Sequence, residues 1–244
     1  MYSFHWEVIS EYLPTFGSAI LTTIYLSLLG ELVGIVAGLL IALLRLSPVA
    51  PVRWLAGVYI DFFRGVPLLV VLIWIYFAFP VIFNLNPSPL QASVVGLGLT
   101  YAAYLAEVFR AGIQAIPRGQ REAAFTLGFT ELQTLRAVIL PQALRVVIPP
   151  LGNSFVGMLK DSSLVSVIGQ VDLMRQGQIV TSQTFRPLEV YTFVALVYYA
   201  MTLMAARAIN YTERRFAIVK APPRGRPFWR GLARARARGI TRPT

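Results

Sequence analysis

"GQREAAFTLGFTELQTLRAVILPQALR", residues 119–145, is a charged, helix-prone segment inside a chain that is otherwise mostly apolar. Strong helix formers precede Gly128, which is placed to end a helix. Thr130 and Gln133 have the spacing of a capping box that begins a second helix, and Pro141 is expected to end or kink it. The segment is therefore predicted to form two short helices that meet at a tight glycine turn.

Two uses would suit such a segment. Phe125, Leu127 and Phe129 lie close to the predicted turn, where an apolar knob could dock into a groove on another protein. The alternative is an amphipathic helix that lies on the lipid surface. Helices of that kind are usually rich in Lys and Arg, whereas here Glu122 and Glu131 stand among the arginines. The residue pattern alone leaves both uses open.

The composition indicates a membrane protein. Of the 244 residues, 56% are hydrophobic and 14% are charged, whereas about a quarter of the residues in a soluble domain are charged. Lipid is therefore expected to be the main solvent of this chain. The sequence has no cysteine and a single histidine, His5. Disulfides, thiolate catalysis and Cys/His metal sites are thus excluded, and no metal site or bound cofactor is expected.

The apolar runs predict an all-α membrane protein with five transmembrane helices. A helix needs about 20 apolar residues to cross the hydrocarbon core. The Pro- and Asn-rich stretch 80–89 is expected to turn the chain between the second and third helices. The predicted spans are residues 19–44, 66–83, 90–111, 146–173 and 190–210, within a permease domain of residues 19–212.

The basic residues predict the orientation. No Lys or Arg precedes Arg45, whereas ten lie between Glu213 and Thr244. By the positive-inside rule, residues 1–18 are expected outside and the tail 213–244, expected to be disordered, in the cytoplasm. The loop 118–142 then faces the cytoplasm as well. This distribution accounts for the formal charge of +11 without nucleic acid, which is not expected as a partner.

Several motifs in order resemble a known family. Glu122–Ala124 ("EAA"), Gly128 and "ILP" at 139–141 resemble the EAA loop of ABC importer permeases. The stretches "DFFRGVPLLV", "YLAEVFRAGIQAIPRGQREAA" and "LPQALRVVIPPLGNSFVGMLKDSSL", which begin at Asp61, Tyr104 and Leu140, are similar to the polar amino acid subfamily. The resemblance implies a multi-pass protein of the cell inner (plasma) membrane.

The resemblance also implies a mechanism. In such importers the segment with Glu122, Ala123, Ala124, Gly128 and Pro141 forms a coupling helix that sits in a cleft of a separate ATPase subunit. The implied partners are a second permease chain, identical or related, two ATP-binding subunits, an external solute-binding protein, an amino acid and membrane lipid. ATP and Mg would belong to the ATPase subunit. The sequence agrees, since it contains no G-x-x-x-x-G-K-[ST] phosphate loop, and the chain is not expected to be an enzyme by itself.

Lys160 and Asp161 are the candidate cargo residues. Each charge costs about 2.5–3.5 kcal/mol at the centre of a span, and Ser162 and Ser163 follow directly. Asp161 could bind the ammonium of an amino acid and Lys160 its carboxylate, with the serines as neutral donors. The alternative is that both charges pair with other spans and never meet the cargo.

Other charged residues receive a structural interpretation. Asp61 with Arg64, and Glu107 with Arg110, are three residues apart near helix ends and are predicted to form local ion pairs. Glu31 stands alone in the first span, with no assigned role.

Two other functions remain as alternatives. An ion-coupled transporter that works alone would need an internal repeat, and an intramembrane enzyme would need a nucleophile or an acid–base pair. Neither pattern is visible in the spans, which favours the importer. The sequence does not identify the amino acid carried, nor whether the two permease chains are identical.

Overall fold

The computed structural model describes residues 3–216, and every regular element in that range is helical. The predicted basic tail lies almost entirely outside the described residues. The helices are α1 (Glu7–Glu11), α2 (Leu13–Arg45), α3 (Ala50–Gly65), α4 (Leu68–Phe83), α5 (Pro89–Gln114), α6 (Arg118–Thr126), α7 (Glu131–Ile168), α8 (Leu173–Thr184) and α9 (Pro187–Phe216).

Four helices, α2, α5, α7 and α9, are long and apolar enough to cross a membrane. Helices α3 and α4 together provide a fifth span if the bent pair is counted as one. The prediction of five spans agrees with this upper count. The predicted placement of the two termini on opposite sides of the membrane stays a prediction.

The break between α3 and α4 differs from the predicted second span. No predicted span covers residues 50–65, yet α3 occupies them and meets α4 at an angle of 104°. Val66 and Pro67 are extended between the two helices, with ψ values of 133° and 134°. A residue before proline disfavours helical geometry, so Pro67 forces Val66 out of the helix and the chain turns.

Helix α7 begins well before the predicted fourth span and is not ended by Pro141. It starts at Glu131 and passes through Pro141, Pro149 and Pro150. A π-helical turn over Leu135–Ile139 directly precedes Pro141. The wider π-helical turn makes room for the ring of Pro141, which would clash with the preceding turn of a regular α-helix. The helix then stops at Gly169, which has a φ of +83°.

The tightest packing in the fold joins α2 to α5. Gly30, Gly34 and Gly38 follow one another at intervals of four residues on the face of α2 that contacts α5. A Cβ atom at Gly38 would lie 2.9 Å from the Cβ of Leu105 and 3.0 Å from the carbonyl oxygen of Ala102. Small residues at this spacing let helix backbones approach closely, and the resulting van der Waals contact favours helix association in lipid.

The remaining helices pack around this pair. Leu26 of α2, Leu97 of α5 and Met158 of α7 are fully buried in one apolar cluster. A second cluster joins the start of α2 to α8 and α9 through residues such as Phe16 and Val190. Helices α2, α5 and α7 therefore form the centre of the bundle, with the α3–α4 bend beside α5.

We expect Gly38→Leu to destabilise the bundle by about 1–3 kcal/mol, because overpacking a filled contact costs that much. The matched control is Gly17→Leu in the same helix, where an added Cβ meets nothing within 4 Å. The measurement is the midpoint of thermal unfolding in detergent, followed by size-exclusion chromatography with fluorescence detection. Equal midpoints for both variants would contradict the close approach of α2 and α5.

Candidate functional site

The EAA segment, residues 118–142, contains a sharp turn that local interactions fix completely. Helix α6 ends at Thr126, and Gly128 adopts the left-handed conformation with a φ of +83°. The amide of Phe129 donates to the carbonyl of Ala124 at 3.1 Å, and that of Gly128 to the carbonyl of Phe125 at 2.9 Å. These two bonds form a Schellman motif, which is typical of helices that end at glycine.

The next helix begins at once. The amide of Thr130 donates to Oε1 of Gln133 at 2.8 Å, and the amide of Gln133 donates to Oγ1 of Thr130 at 3.3 Å. The predicted capping box is therefore present and starts α7 at Glu131. The predicted second short helix is instead the first part of this long one.

The EAA segment presents an apolar surface to its surroundings. Phe125, Leu127 and Phe129 are 41%, 77% and 39% exposed. Glu122 and Ala123 are exposed as well, whereas Ala124 is buried. The segment therefore has the form of a knob with unpartnered apolar side chains at its tip.

A cavity of about 610 Å³ lies between the α3–α4 bend, α5 and α7. We call it the Asp161 cavity. Its described lining residues are Arg64–Leu68, Thr100, Tyr101, Tyr104, Leu105, Val108, Pro150, Ser154, Gly157 and Asp161. The break that separates α3 from α4 thus forms one wall, as is common where discontinuous helices border a cargo site in a membrane.

Asp161 is the sequence-predicted cargo residue that the structure brings to this cavity. Its Oδ2 accepts a hydrogen bond of 2.8 Å from the hydroxyl of Tyr101 on α5. A Cβ at Gly157, one turn before Asp161, would lie 3.0 Å from that hydroxyl. The glycine therefore leaves the space in which Tyr101 reaches the carboxylate. Among the described residues, Oδ1 of Asp161 accepts no hydrogen bond.

The other three candidate residues do not line this cavity. Lys160 is exposed, and neighbouring residues on a helix point about 100° apart. Ser162 is fully buried and its hydroxyl donates to the carbonyl of Leu159 at 2.8 Å. The hydroxyl of Ser163 donates to the carbonyl of Lys160, also at 2.8 Å. Their predicted contact with cargo stays a prediction.

Arg64 lies elsewhere than the sequence predicts. Within the described part of the chain, no carboxylate lies within 4 Å of its guanidinium, so the expected Asp61–Arg64 ion pair is not formed. The side chain reaches from α3 to α5 instead, with Cζ 5.5 Å from the centre of the Tyr104 ring. Spacing within one helix could not reveal this contact, because the attraction comes from an aromatic ring on another helix.

A second cavity, of about 480 Å³, lies next to the first. We call it the arginine cavity. Its described lining residues are Arg45, Arg53, Ile60, Asp61, Arg64, Glu107, Arg110 and Gln114. Arg110 and Glu107 form an ion pair of 2.6 Å here. Arg64 lines both cavities and is therefore the residue at which they meet.

Glu31 of α2 lies behind the Asp161 cavity. It is 6% exposed, and its Oε2 accepts a hydrogen bond of 3.4 Å from the hydroxyl of Ser154, which lines the cavity. Its Oε1 has no hydrogen-bond partner among the described residues. Across residues 3–216, no group of three His, Asp or Glu side chains is arranged to hold a metal ion.

The comparisons with known proteins agree with this architecture. The chain is 41% identical over 180 residues to the probable glutamine ABC transporter permease protein GlnM of Bacillus subtilis (strain 168), a match that covers 74% of this chain and 83% of that one. It is 39% identical to the glutamine transport system permease protein GlnP of Escherichia coli (strain K12), over 88% of this chain and 99% of that one.

Solved structures have the same fold. One chain in a crystal structure of an amino acid ABC transporter with histidines superposes with a TM-score of 0.83 and is 41% identical, covering 88% of this chain and all of that chain. The MetNI methionine ABC transporter, in inward-facing conformations, gives a TM-score of 0.74 at 20% identity over 85% of this chain and 98% of that one.

The family model described as the binding-protein-dependent transport system inner membrane component matches residues 34–218, which include the α3–α4 bend, the Asp161 cavity and the EAA segment. The chain therefore belongs to this family of transport-system inner membrane components.

Proposed function

We propose that the chain is the permease subunit of an ATP-driven importer of polar amino acids, and that it forms the translocation path together with a second permease chain. The observation that carries the proposal is the near full-length match to amino acid permeases, among them GlnP and the glutamate/aspartate import permease protein GltK of Escherichia coli O157:H7, which is 35% identical over 89% of this chain and 100% of that one.

The Asp161 cavity supplies the chemistry that such cargo needs. A polar amino acid carries an ammonium group, and a carboxylate in an apolar span binds a cation strongly because little water competes. One carboxylate oxygen of Asp161 already accepts from Tyr101, which fixes the orientation of the group. We infer that the other oxygen receives the ammonium of the cargo.

The EAA segment supplies the contact with an energy source. Its exposed apolar tip suits a groove on another protein, and the sequence holds no phosphate loop with which the chain could bind ATP itself. We infer that the segment containing Glu122, Ala123, Ala124 and Gly128 docks on a separate ATPase subunit, which binds ATP and Mg, with the buried Ala124 supporting the exposed residues from within. The complete importer would hold two such subunits and an external solute-binding protein.

Replacing Gly128 by Arg tests the coupling contact. A side chain at this left-handed position costs about 1–2 kcal/mol, and it would also deform the exposed tip. We expect the variant to insert normally but to lose the stimulation of ATP hydrolysis by amino acid and binding protein in proteoliposomes. Gly119→Arg is the matched control, since Gly119 is exposed and a Cβ there meets nothing within 4 Å. Stimulated hydrolysis at the wild-type rate in Gly128→Arg would contradict the coupling role.

Replacing Asp161 by Asn tests the cargo contact. A hydrogen bond to a charged group contributes about 1.5–3 kcal/mol, so uptake at limiting amino acid should fall about tenfold or more. Tyr101→Phe should lower uptake less, because the carboxylate remains. Tyr59→Phe is the control, as it removes a hydroxyl on a half-buried side chain that donates to the carbonyl of Leu99 at 2.8 Å and does not line the Asp161 cavity. Copurification of the ATPase subunit verifies assembly, and wild-type uptake by assembled Asp161→Asn would remove Asp161 from the path.

A further inference from the structure

We propose that Arg64 binds the carboxylate of the amino acid in the Asp161 cavity and so selects cargo that carries this group. The inference rests on the proposed function. It assigns to Arg64 the binding of the cargo carboxylate, which the sequence pattern suggests for Lys160.

The two charges of the cavity match the two charges of the cargo. Among the described lining residues, Arg64 is the one cation and Asp161 the one carboxylate. An amino acid zwitterion needs an anion for its ammonium and a hydrogen-bond donor for its carboxylate. Lys160 neighbours Asp161 in sequence, but it is exposed and does not line this cavity.

Among the described residues the guanidinium of Arg64 donates to no acceptor, and Asp61 and Glu107 line the arginine cavity on its other side. The Cζ of this guanidinium lies over the ring of Tyr104, 5.5 Å from the ring centre, and the attraction between a cation and an aromatic ring favours this position. No carboxylate within the described residues lies within 4 Å of it. Arginine binds a carboxylate through two parallel hydrogen bonds more readily than lysine does.

The hydroxyl of Thr100 is a second donor in the same cavity. Thr100 lines the cavity and is 4% exposed, yet its hydroxyl makes no hydrogen bond within the described part of the chain. A buried hydroxyl without a partner is costly, and a carboxylate oxygen of the cargo would satisfy it. Leu68, the first residue of α4, lines the same wall, and the first amide of a helix has no carbonyl partner within the helix. The amides of Val70 and Val71 in the same turn donate to the carbonyl of Pro67.

The test compares binding of an amino acid with binding of its α-carboxamide, which keeps the ammonium but lacks the negative charge. The purified permease–ATPase complex, without the external binding protein, is titrated with L-glutamine and L-glutaminamide, and separately with L-arginine and L-argininamide. We expect the wild type to prefer the acid about tenfold or more, as a charge-assisted bidentate contact implies.

Four variants separate the possible roles. Arg64→Gln should bring the preference for the acid to within about twofold, and Arg64→Lys should retain part of it, since a lysine keeps the charge but not the fork. Asp161→Asn should weaken acid and amide in parallel and preserve their ratio. Arg53→Gln is the control, because Arg53 lines the arginine cavity alone and its guanidinium donates to the carbonyl of Ser47.

Each result has a distinct meaning. If Arg64→Gln keeps the full preference for the acid, the inference is overturned and the proposed function stands. If the variant weakens acid and amide equally, Arg64 shapes the cavity or holds a lipid phosphate, and the inference is again overturned. If the wild-type complex binds an acid and its amide equally, the inference is overturned and the proposed function stands. The proposed function itself is overturned if the complete importer with its binding protein takes up no amino acid. The inference is supported if Arg64→Gln loses the preference for the acid while Asp161→Asn and Arg53→Gln keep it.

Discussion

The close approach of α2 and α5 is the constraint on which the other contacts depend. Lipid tails are as apolar as leucine, so burial of apolar surface does not by itself draw two helices together in a membrane. The glycines at 30, 34 and 38 allow the backbones to meet, and this brings α5 into a fixed position. Tyr101 and Thr100 lie on α5 and line the Asp161 cavity. The geometry of the cavity therefore depends on the three glycines of α2, which do not line it themselves.

The break at Val66–Pro67 is the second determinant of the site. Irregular backbone within a membrane is tolerated only where it is covered by protein or borders a wet cavity, because lipid cannot hydrogen-bond its polar groups. Here the break borders the Asp161 cavity and forms one of its walls. Arg64, at the end of α3, lies where the two cavities meet. A turn imposed by one proline thus creates a cavity wall and positions a cation in it.

The sequence predicted those features that depend on local signals. Long apolar runs placed α2, α5 and α9, and Gly128 with Thr130 predicted the turn in the EAA segment. Helix α3 escaped prediction because its arginines and Asp61 interrupt the apolar run, and α7 was predicted too short because its first half is amphipathic. Asp161 could be recognised by its cost in a span, whereas the position of Arg64 over Tyr104 depends on how two helices pack, which spacing within one helix does not encode.

The continuity of α7 has a mechanical consequence. From Glu131, beside the knob of the EAA segment, to Asp161 the helix runs without a gap, a distance of about 45 Å at 1.5 Å per residue. If a helix of that length tilts as one body, a small rotation at the Glu131 end displaces the Asp161 end by several ångströms. Pro149 and Pro150 remove two amide donors from the helix between these ends, so the backbone is most easily bent at the two prolines, between the knob and Asp161.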